Sequence, residues 1–571
     1  MVHVLATALA SLLGTTPSPV PVHAAQAGLE PGNPVSVILG RGSDGRLPTG
    51  AWSLRDSAGG KTRIQGVLPW GSWWNALQDS AVRLDLGDLP AGTWELRWGK
   101  VVVGRLRTRP GEDLDLFRKA MGAFYHARAS ASTEPAFAGR WARAAGHPDT
   151  LVHRHPSTGQ TGAFASPKGW YDAGDYGKYV VNSGITCWLL LDLAERRPDL
   201  FDTLSWPLPA GSDPALLREL RWNLDWMLTM QDVDGGVYHK LTSLRFDPFE
   251  RPDQDTMGRW ALMKTTTATL DFAAVFAKAS RVWASRDTAW SRTALDASVR
   301  AWDWACAHPS VPYRQPADVR TGKYEDENPG DERFLAATEI ALSRGDRDLW
   351  AAFRFGLDSA WREASWQDVG ALALYEVLAR PDFFGSDTFP ARRSLLERAS
   401  VLMRRADSSA YGISMDSADY VWGSNAVLAM QGIHLLRAFE TTGDSGYLAA
   451  ARRDLAYLLG ANPFDTCFVT GMGTHPARRP HHRPSASDTV DDPVPGFLVG
   501  GPHQGGQDVG PHPWQVKDYR QPGRPALSWT DETRSYATNE VAINWNAALV
   551  HLTGSFLAVE IPRRGTISGR R

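Results

Sequence analysis

Three cysteines in 571 residues are too few for a disulfide framework, and Cys187, Cys306 and Cys467 are too widely spaced for a zinc cluster. All three stand in apolar contexts and read as small buried hydrophobes. No apolar run is long enough to span a bilayer. The nearest, residues 4–13, stops before Gly14-Thr15-Thr16-Pro17 and is followed by Val22-His23-Ala24, a small-residue cleavage pattern. Residues 1–24 are therefore expected to be a leader, although Lys and Arg are missing from its start, and the mature chain to be secreted or periplasmic. Charge of one sign is also lacking. With 61 basic and 63 acidic residues the formal net charge is −2, which leaves no footprint for nucleic acid or for a membrane surface.

Tryptophan is abundant, at 24 residues, and 43% of the chain is hydrophobic, enough for a large core. Spare aromatic area of this kind suits either sugar rings or a packed interior. Residues 33–108 read as strands: Val82, Leu84 and Leu86 alternate with Arg83 and Asp85, and Trp94, Leu96 and Trp98 with Glu95 and Arg97. Short alternating runs with turn residues between them indicate a small β-sandwich. From Asp113 onward the period becomes helical. Leu217, Leu220, Leu224, Met227 and Leu228 share one face, and comparable segments recur to about residue 558. Many helices with variable loops and no fixed repeat suggest helical hairpins packed in a ring. Residues 461–530 break the pattern, being rich in Gly, Pro and His, and a structureless stretch of that length is usually functional.

Two acidic constellations stand out. Asp172 and Asp175 flank Ala173-Gly174, with Trp170, Tyr171, Tyr176 and Tyr179 around them, just ahead of an apolar helix beginning near Val180. Free N–H groups at a helix start favour ionised carboxylates, which suits a base that takes a proton from water. The same residues also suit a capped turn packed on aromatics. Glu540 follows Asn539 at the head of a helical run, where desolvation raises a carboxyl pKa as a general acid requires. It equally suits a helix-start capping role. A third group, Pro480-His481-His482-Arg483, fits no zinc spacing and reads as a polar contact loop. A carboxylate pair and a distant acid match glycoside hydrolysis, in which carboxyl groups roughly 6.5–9.5 Å apart give inversion.

These motifs, in this order, resemble glycoside hydrolase family 9. Asp172-Ala-Gly-Asp175 looks like the family's base motif. Asn462-Pro463, Phe468-Val-Thr-Gly471-Met-Gly473 and Pro480 to Ser485 look like one C-terminal signature, and Trp529 to Ala547 like another. The resemblance implies Asp175 as base, Asp172 as the residue holding the water, Glu540 as proton donor, and His481, Arg483 and Asp531 as substrate contacts. Gln231 to Lys240 and Lys264 to Ala277 resemble the branch with an N-terminal immunoglobulin-like module. The expected architecture is mostly α: a leader over 1–24, an immunoglobulin-like sandwich over 33–108, and an (α/α)6 barrel over 111–562. No cofactor is expected to be required. Structural zinc is not expected, because Ala129 stands in place of a cysteine and only His153 and His155 remain of that site. Asp331-Glu332 resembles the family's calcium position, and also an ordinary acidic first turn. Asn544-Trp545 departs from the usual Asp-Tyr. The implied activity is hydrolysis of β-1,4-linked glucan by a monomer. The rivals are exo action releasing glucose, cellobiose or glucosamine, an inactive carbohydrate-binding protein, and a zinc-dependent hydrolase.

Overall fold

A computed structural model describes residues 20–558 except 204–207, 209–210, 212 and 360. Most of the expected leader, residues 1–19, lies outside the described residues. Its last part does not: Val22–Ala24 forms a strand.

Eight strands come first: β1 (Val22–Ala24), β2 (Pro34–Leu39), β3 (Ala51–Asp56), β4 (Thr62–Val67), β5 (Ser72–Trp74), β6 (Asp79–Asp88), β7 (Gly92–Trp98) and β8 (Val101–Thr108). They make two antiparallel sheets, ordered β1-β2-β6-β5 and β4-β3-β7-β8. The alternation seen in the sequence sets the register. Val82, Leu84 and Leu86 of β6 are buried, and Leu84 pairs with Val37 of β2. Val37 and Leu84 from one sheet meet Leu54 and Leu96 from the other in a shared core. The unit begins earlier than residue 33, because β1 pairs with β2 from Val22 opposite Leu39 to Ala24 opposite Val37.

Twelve longer helices follow: α1 (Glu112–His126), α2 (Val180–Arg196), α3 (Ala215–Thr229), α4 (Thr266–Trp283), α5 (Thr288–Ala307), α6 (Gly330–Arg344), α7 (Arg347–Phe353), α8 (Gly370–Ala379), α9 (Thr388–Ser408), α10 (Ser424–Thr442), α11 (Ser445–Leu458) and α12 (Ile543–Ala558). The even-numbered helices pack in a circuit, α2 on α4, α4 on α6, α6 on α8, then α10 on α12 and α12 back on α2, with α9 bridging α8 to α10. Their composition explains their place. Every residue of α2 from Val180 to Ala194 is buried, so it has neighbours on all sides. By contrast α9 buries only Ala391, Leu395, Ala399, Leu402 and Ala406, a single stripe facing inward.

Apolar helices alone do not close this circuit. Each of the six even-numbered helices sends a charged or titratable side chain into one buried network. Asp192 of α2 accepts from Arg437 of α10 at 3.0 Å and meets His551 of α12 at 2.9 Å. Lys278 of α4 pairs with Glu195 of α2 at 2.7 Å and with Glu376 of α8. Arg281 of α4 reaches Glu339 of α6 at 2.6 Å. Asp192 lies well below the usual carboxylate range: burial opposes this, but the cations of Arg196, Lys278 and Arg437 prevail. Of the cysteines, Cys187 and Cys467 are buried, but Cys306 is exposed near the end of α5 and is not the core residue expected.

Candidate active site

The turn carrying Asp172 and Asp175 is held from below by a small sheet. Lys178–Tyr179 pairs with Lys240–Leu241 immediately before α2 begins. Beneath the turn, Lys178 is buried, with its ammonium 2.7 Å from Asp149. The helix start does not supply the carboxylates' partners as the sequence suggested; side chains mostly do. Asp172 accepts from the Tyr324 hydroxyl at 2.6 Å and from the amide of Asn182, in the first turn of α2, at 2.7 Å. Asp175 accepts from the Tyr179 hydroxyl at 3.1 Å and from the Gly177 N–H at 3.3 Å.

Glu540 reaches the same place from the far end of the chain. It sits in a non-helical break between a short helix at Tyr536–Asn539 and α12, so it caps no long helix. The Gly174 N–H donates to Glu540 Oε1 at 3.3 Å, and the Gly174 carbonyl accepts from Arg483 Nη1 at 2.6 Å. One residue between the aspartates thus touches both C-terminal signatures. It must be glycine: a Cβ there would lie 2.2 Å from the His481 carbonyl oxygen. His481 runs parallel to Glu540, and its Nδ1 lies 2.7 Å from the Thr533 carbonyl. Arg483 is buried and also donates to the Asp247 carbonyl at 2.8 Å.

These groups line one cleft of about 1280 Å³, together with Tyr324, Trp366, Trp422, Trp514, Tyr536 and Trp545. The surroundings shift two of the carboxyls, Asp172 and Glu540, upward. Burial, and then the charge of Asp175, push Asp172 up to about 8, against the pull of Tyr324 and Asn182. Glu540 keeps one side open to the cleft and is crowded on the others; burial and the charge of Asp175 raise it well above the usual range. A shift in this direction favours the protonated form, the state a proton donor needs. His481 is lowered to about 3 by burial and then by Arg483, so its imidazole is neutral. The Tyr179 and Tyr324 phenols are raised well above their usual value by burial and the nearby aspartates, so both remain donors.

The model of glycosyl hydrolase family 9 matches residues 114–553. The chain belongs to this family. A xyloglucan-specific endo-beta-1,4-glucanase of Bacteroides ovatus is 39% identical over 470 residues, covering 77% of this chain and 78% of the relative. Endoglucanase D of Acetivibrio thermocellus is 31% identical over 414 residues, 71% of this chain and 63% of that protein. Among solved structures, a Bacteroides ovatus family 9 protein superposes with a TM-score of 0.85 at 34% identity, covering 94% of this chain and 99% of the other. A thermostable endoglucanase of Alicyclobacillus acidocaldarius also gives 0.85, at 30% identity, with 94% and 99% covered. The protein is a glycoside hydrolase.

Within this family 9 frame, the other expected positions fall as follows. Asp531 is not among the residues lining the cleft. Its carboxylate accepts from the N–H groups of Arg478 and Arg479 at 2.8 and 2.9 Å and from the Asn539 amide at 2.9 Å, bracing the loop that leads to His481. His155 meets Ser157 and Asp318 through its two ring nitrogens, His153 lies against Trp260, and Ala129 is buried. Asp331 and Glu332 open α6 but are buried, unlike an ordinary acidic first turn. Glu332 has no partner on either oxygen, and one oxygen each of Asp271 and Asp326 is likewise bare. Burial and the charges of Asp331, Asp271 and Asp326 raise Glu332 well above its usual range. Carboxylates are the ligand type a hard cation such as calcium takes, but among the described residues no group of three or more acidic, His or Cys side chains converges to hold a metal. Sequence reasoning missed Tyr324 and Asn182. Asn182 stands in the first turn of an apolar helix, and Tyr324 lies in a loop without periodicity.

Proposed function

We propose that this protein is an inverting hydrolase of β-1,4-linked glucan. The observation that carries the reading is the Gly174 N–H donated to Glu540, which joins the early aspartates and the late glutamate at one cleft. Asp175 takes a proton from water, which attacks the anomeric carbon. Asp172, held by Tyr324 and Asn182, orients that water. Glu540 gives its proton to the departing glycosidic oxygen, and the carboxyl states exchange as the products leave. His481 and Arg483 hold sugar hydroxyls beside the scissile bond, and the tryptophans of the cleft take the apolar faces of the rings. The names of the relatives, endo-beta-1,4-glucanase and endoglucanase, support the choice of glucan. Proton NMR of the first sugar released tests the mechanism. Inversion delivers the α-anomer from a β-linked chain; an initial β-anomer overturns it.

The finer architecture belongs to the same proposal. The circuit of even-numbered helices, with the odd-numbered ones outside, supports an (α/α)6 barrel, and the two small sheets support an immunoglobulin-like module. Asp331 and Glu332, at the head of α6, are the positions that would contribute to a calcium site, and the ion would stabilise the fold and take no part in bond cleavage. Exo action is the second reading. It is favoured by His503, Gln507 and Trp514, which bring the long C-terminal loop into the cleft lining. Comparing the fall in viscosity of a soluble glucan with the reducing ends released separates the two modes.

A further inference from the structure

Lysine is seldom fully buried, and a carboxylate usually faces it when it is. Among the described residues three lysines are buried: Lys178, Lys240 and Lys278. Lys178 meets Asp149 and Lys278 meets Glu195, each at 2.7 Å. Lys240 breaks the pattern. Its ammonium donates to three neutral oxygens: the Gln315 amide at 3.0 Å, the Thr321 hydroxyl at 3.2 Å and the Gly322 carbonyl at 2.5 Å. Every N–H is used, and none on an anion. The acceptors are themselves fixed. Gln315 accepts from the Tyr313 hydroxyl at 2.7 Å and donates to the Val319 and Thr321 carbonyls at 3.2 and 2.8 Å. Thr321 also accepts from the Thr242 hydroxyl at 3.1 Å. A buried cation with no contacting anion is costly to the fold, so its place bears on function.

Lys240 stands opposite Tyr179 in the small sheet under the catalytic turn. Its Nζ lies 5.4 Å from the centre of the Tyr179 ring and 5.1 Å from that of Tyr313, within cation–π range of both. The Tyr179 hydroxyl is the one that donates to Asp175. On its other side, the segment Thr321-Gly322 that Lys240 grips runs on to Tyr324, whose hydroxyl donates to Asp172. The Tyr179 and Tyr324 rings lie against each other, with centroids 4.8 Å apart. His239 ties the same segment again: its Nε2 lies 3.0 Å from the Lys323 carbonyl, and its ring stacks on Tyr313. One ammonium thus sits behind both phenols that hold the aspartates. Asp175 has no charged partner of its own. It is buried next to Asp172, and its bonds come from a phenol and a backbone N–H. Among the described residues, the charged and titratable groups facing Lys240 are Asp175, Glu325, Tyr179, Tyr313 and His239. Burial lowers Lys240 to about 7, while Asp175 and Glu325 pull the other way. Burial and then Lys240 lower His239 to about 3, so its ring adds no charge.

We propose that Lys240 is a positioning residue for the base: its ammonium lends positive potential to Asp175 across the Tyr179 ring and, through Thr321 and Gly322, fixes the segment that brings Tyr324 to Asp172. It touches no reacting atom. This rests on the reading of Asp175 as base, and two measurements keep the inference and that reading apart. The first is the pH dependence of kcat/KM on a cello-oligosaccharide for wild type, Lys240→Met and Lys240→Arg. Activity is lost on the acidic side as the base takes up a proton. Without the cation that proton is held more tightly, so the acidic limb should move up by about one pH unit in Lys240→Met, the order expected for one nearby opposite charge. Lys240→Arg keeps the charge and should leave the limb near its wild-type position. A limb that stays put in Lys240→Met while the rate falls equally at every pH, or that moves as far in Lys240→Arg, means a structural role only and overturns the proposal. The second measurement leaves Lys240 in place and decides the matter even where Lys240→Met does not fold. Coupling between two charges is reciprocal. In the full-length chain labelled with carbon-13 at lysine Cε, NMR follows the titration of Lys240 in wild type and in Asp175→Asn. The Lys240 midpoint should fall by about one pH unit in Asp175→Asn; an unmoved midpoint overturns the proposal. If the wild type does not hydrolyse the oligosaccharide, the glucan reading fails, and the reciprocal titration alone decides whether Lys240 acts on Asp175.

Discussion

Replacing Glu540 with glutamine removes a proton and little else. The amide keeps the shape of the carboxyl, and its oxygen still accepts the Gly174 N–H that now lies 3.3 Å from Glu540. Arg483 and His481 keep the partners they have. What disappears is the donor that protonates the leaving oxygen. General acid catalysis contributes about 10²–10⁴-fold, or about 2.7–5.4 kcal/mol of barrier, so kcat on a glucan should fall by that factor. An aryl cello-oligosaccharide whose leaving group needs no proton should lose far less. Asp175→Asn removes the base and should lose activity on both substrates alike, so the pair of variants separates the two roles. The pH dependence follows. Burial and the aspartate charges raise Glu540 well above 4.5, so wild-type activity is lost on the alkaline side as Glu540 ionises, and the glutamine variant should lack that limb. Stability changes in the same direction. A folded-state pKa above the unfolded one makes stability fall as pH rises, so the glutamine variant should melt no lower than wild type at neutral pH and above. Near-full activity of Glu540→Gln on glucan, or equal losses on glucan and aryl substrate, would refute the assignment.

Other outcomes follow from the buried charges. Lys278→Met should destabilise the fold by about 3–5 kcal/mol, because it leaves the carboxylates of Glu195 and Glu376 buried beside a missing cation; an unchanged denaturation midpoint would contradict this. Calcium should raise the melting temperature, a chelator should lower it, and Glu332→Gln should abolish both responses. A melting temperature indifferent to calcium removes the ion from the proposal.

The sequence showed the ends of the argument better than its middle. Asp172, Asp175 and Glu540 were legible because each lies in a compact motif whose small neighbours have a steric reason: Gly174 leaves room for the His481 backbone. The strands of residues 33–108 were legible from period two, but β1 was not, since three residues carry no usable period and the segment also resembled a cleavage site. Asp531 was misplaced for another reason. A motif position records that a carboxylate is needed, not whether it faces a sugar or, as here, the N–H groups of a loop. The buried network was invisible. Asp192, Glu195, Lys278 and Glu376 look in sequence like the solvated face of amphipathic helices, and that inference fails for a helix enclosed on all sides. Tyr324 was missed because it reaches Asp172 across 152 residues from an aperiodic loop.

The charged network also bears on how the chain is made. Asp192 and His551 are separated by 359 positions, and they meet only when the first and last inner helices come together. A nascent chain still lacking α12 therefore holds an acid without one of its neighbours and a circuit of helices with a gap. A polypeptide released short of its last helix cannot close that circuit.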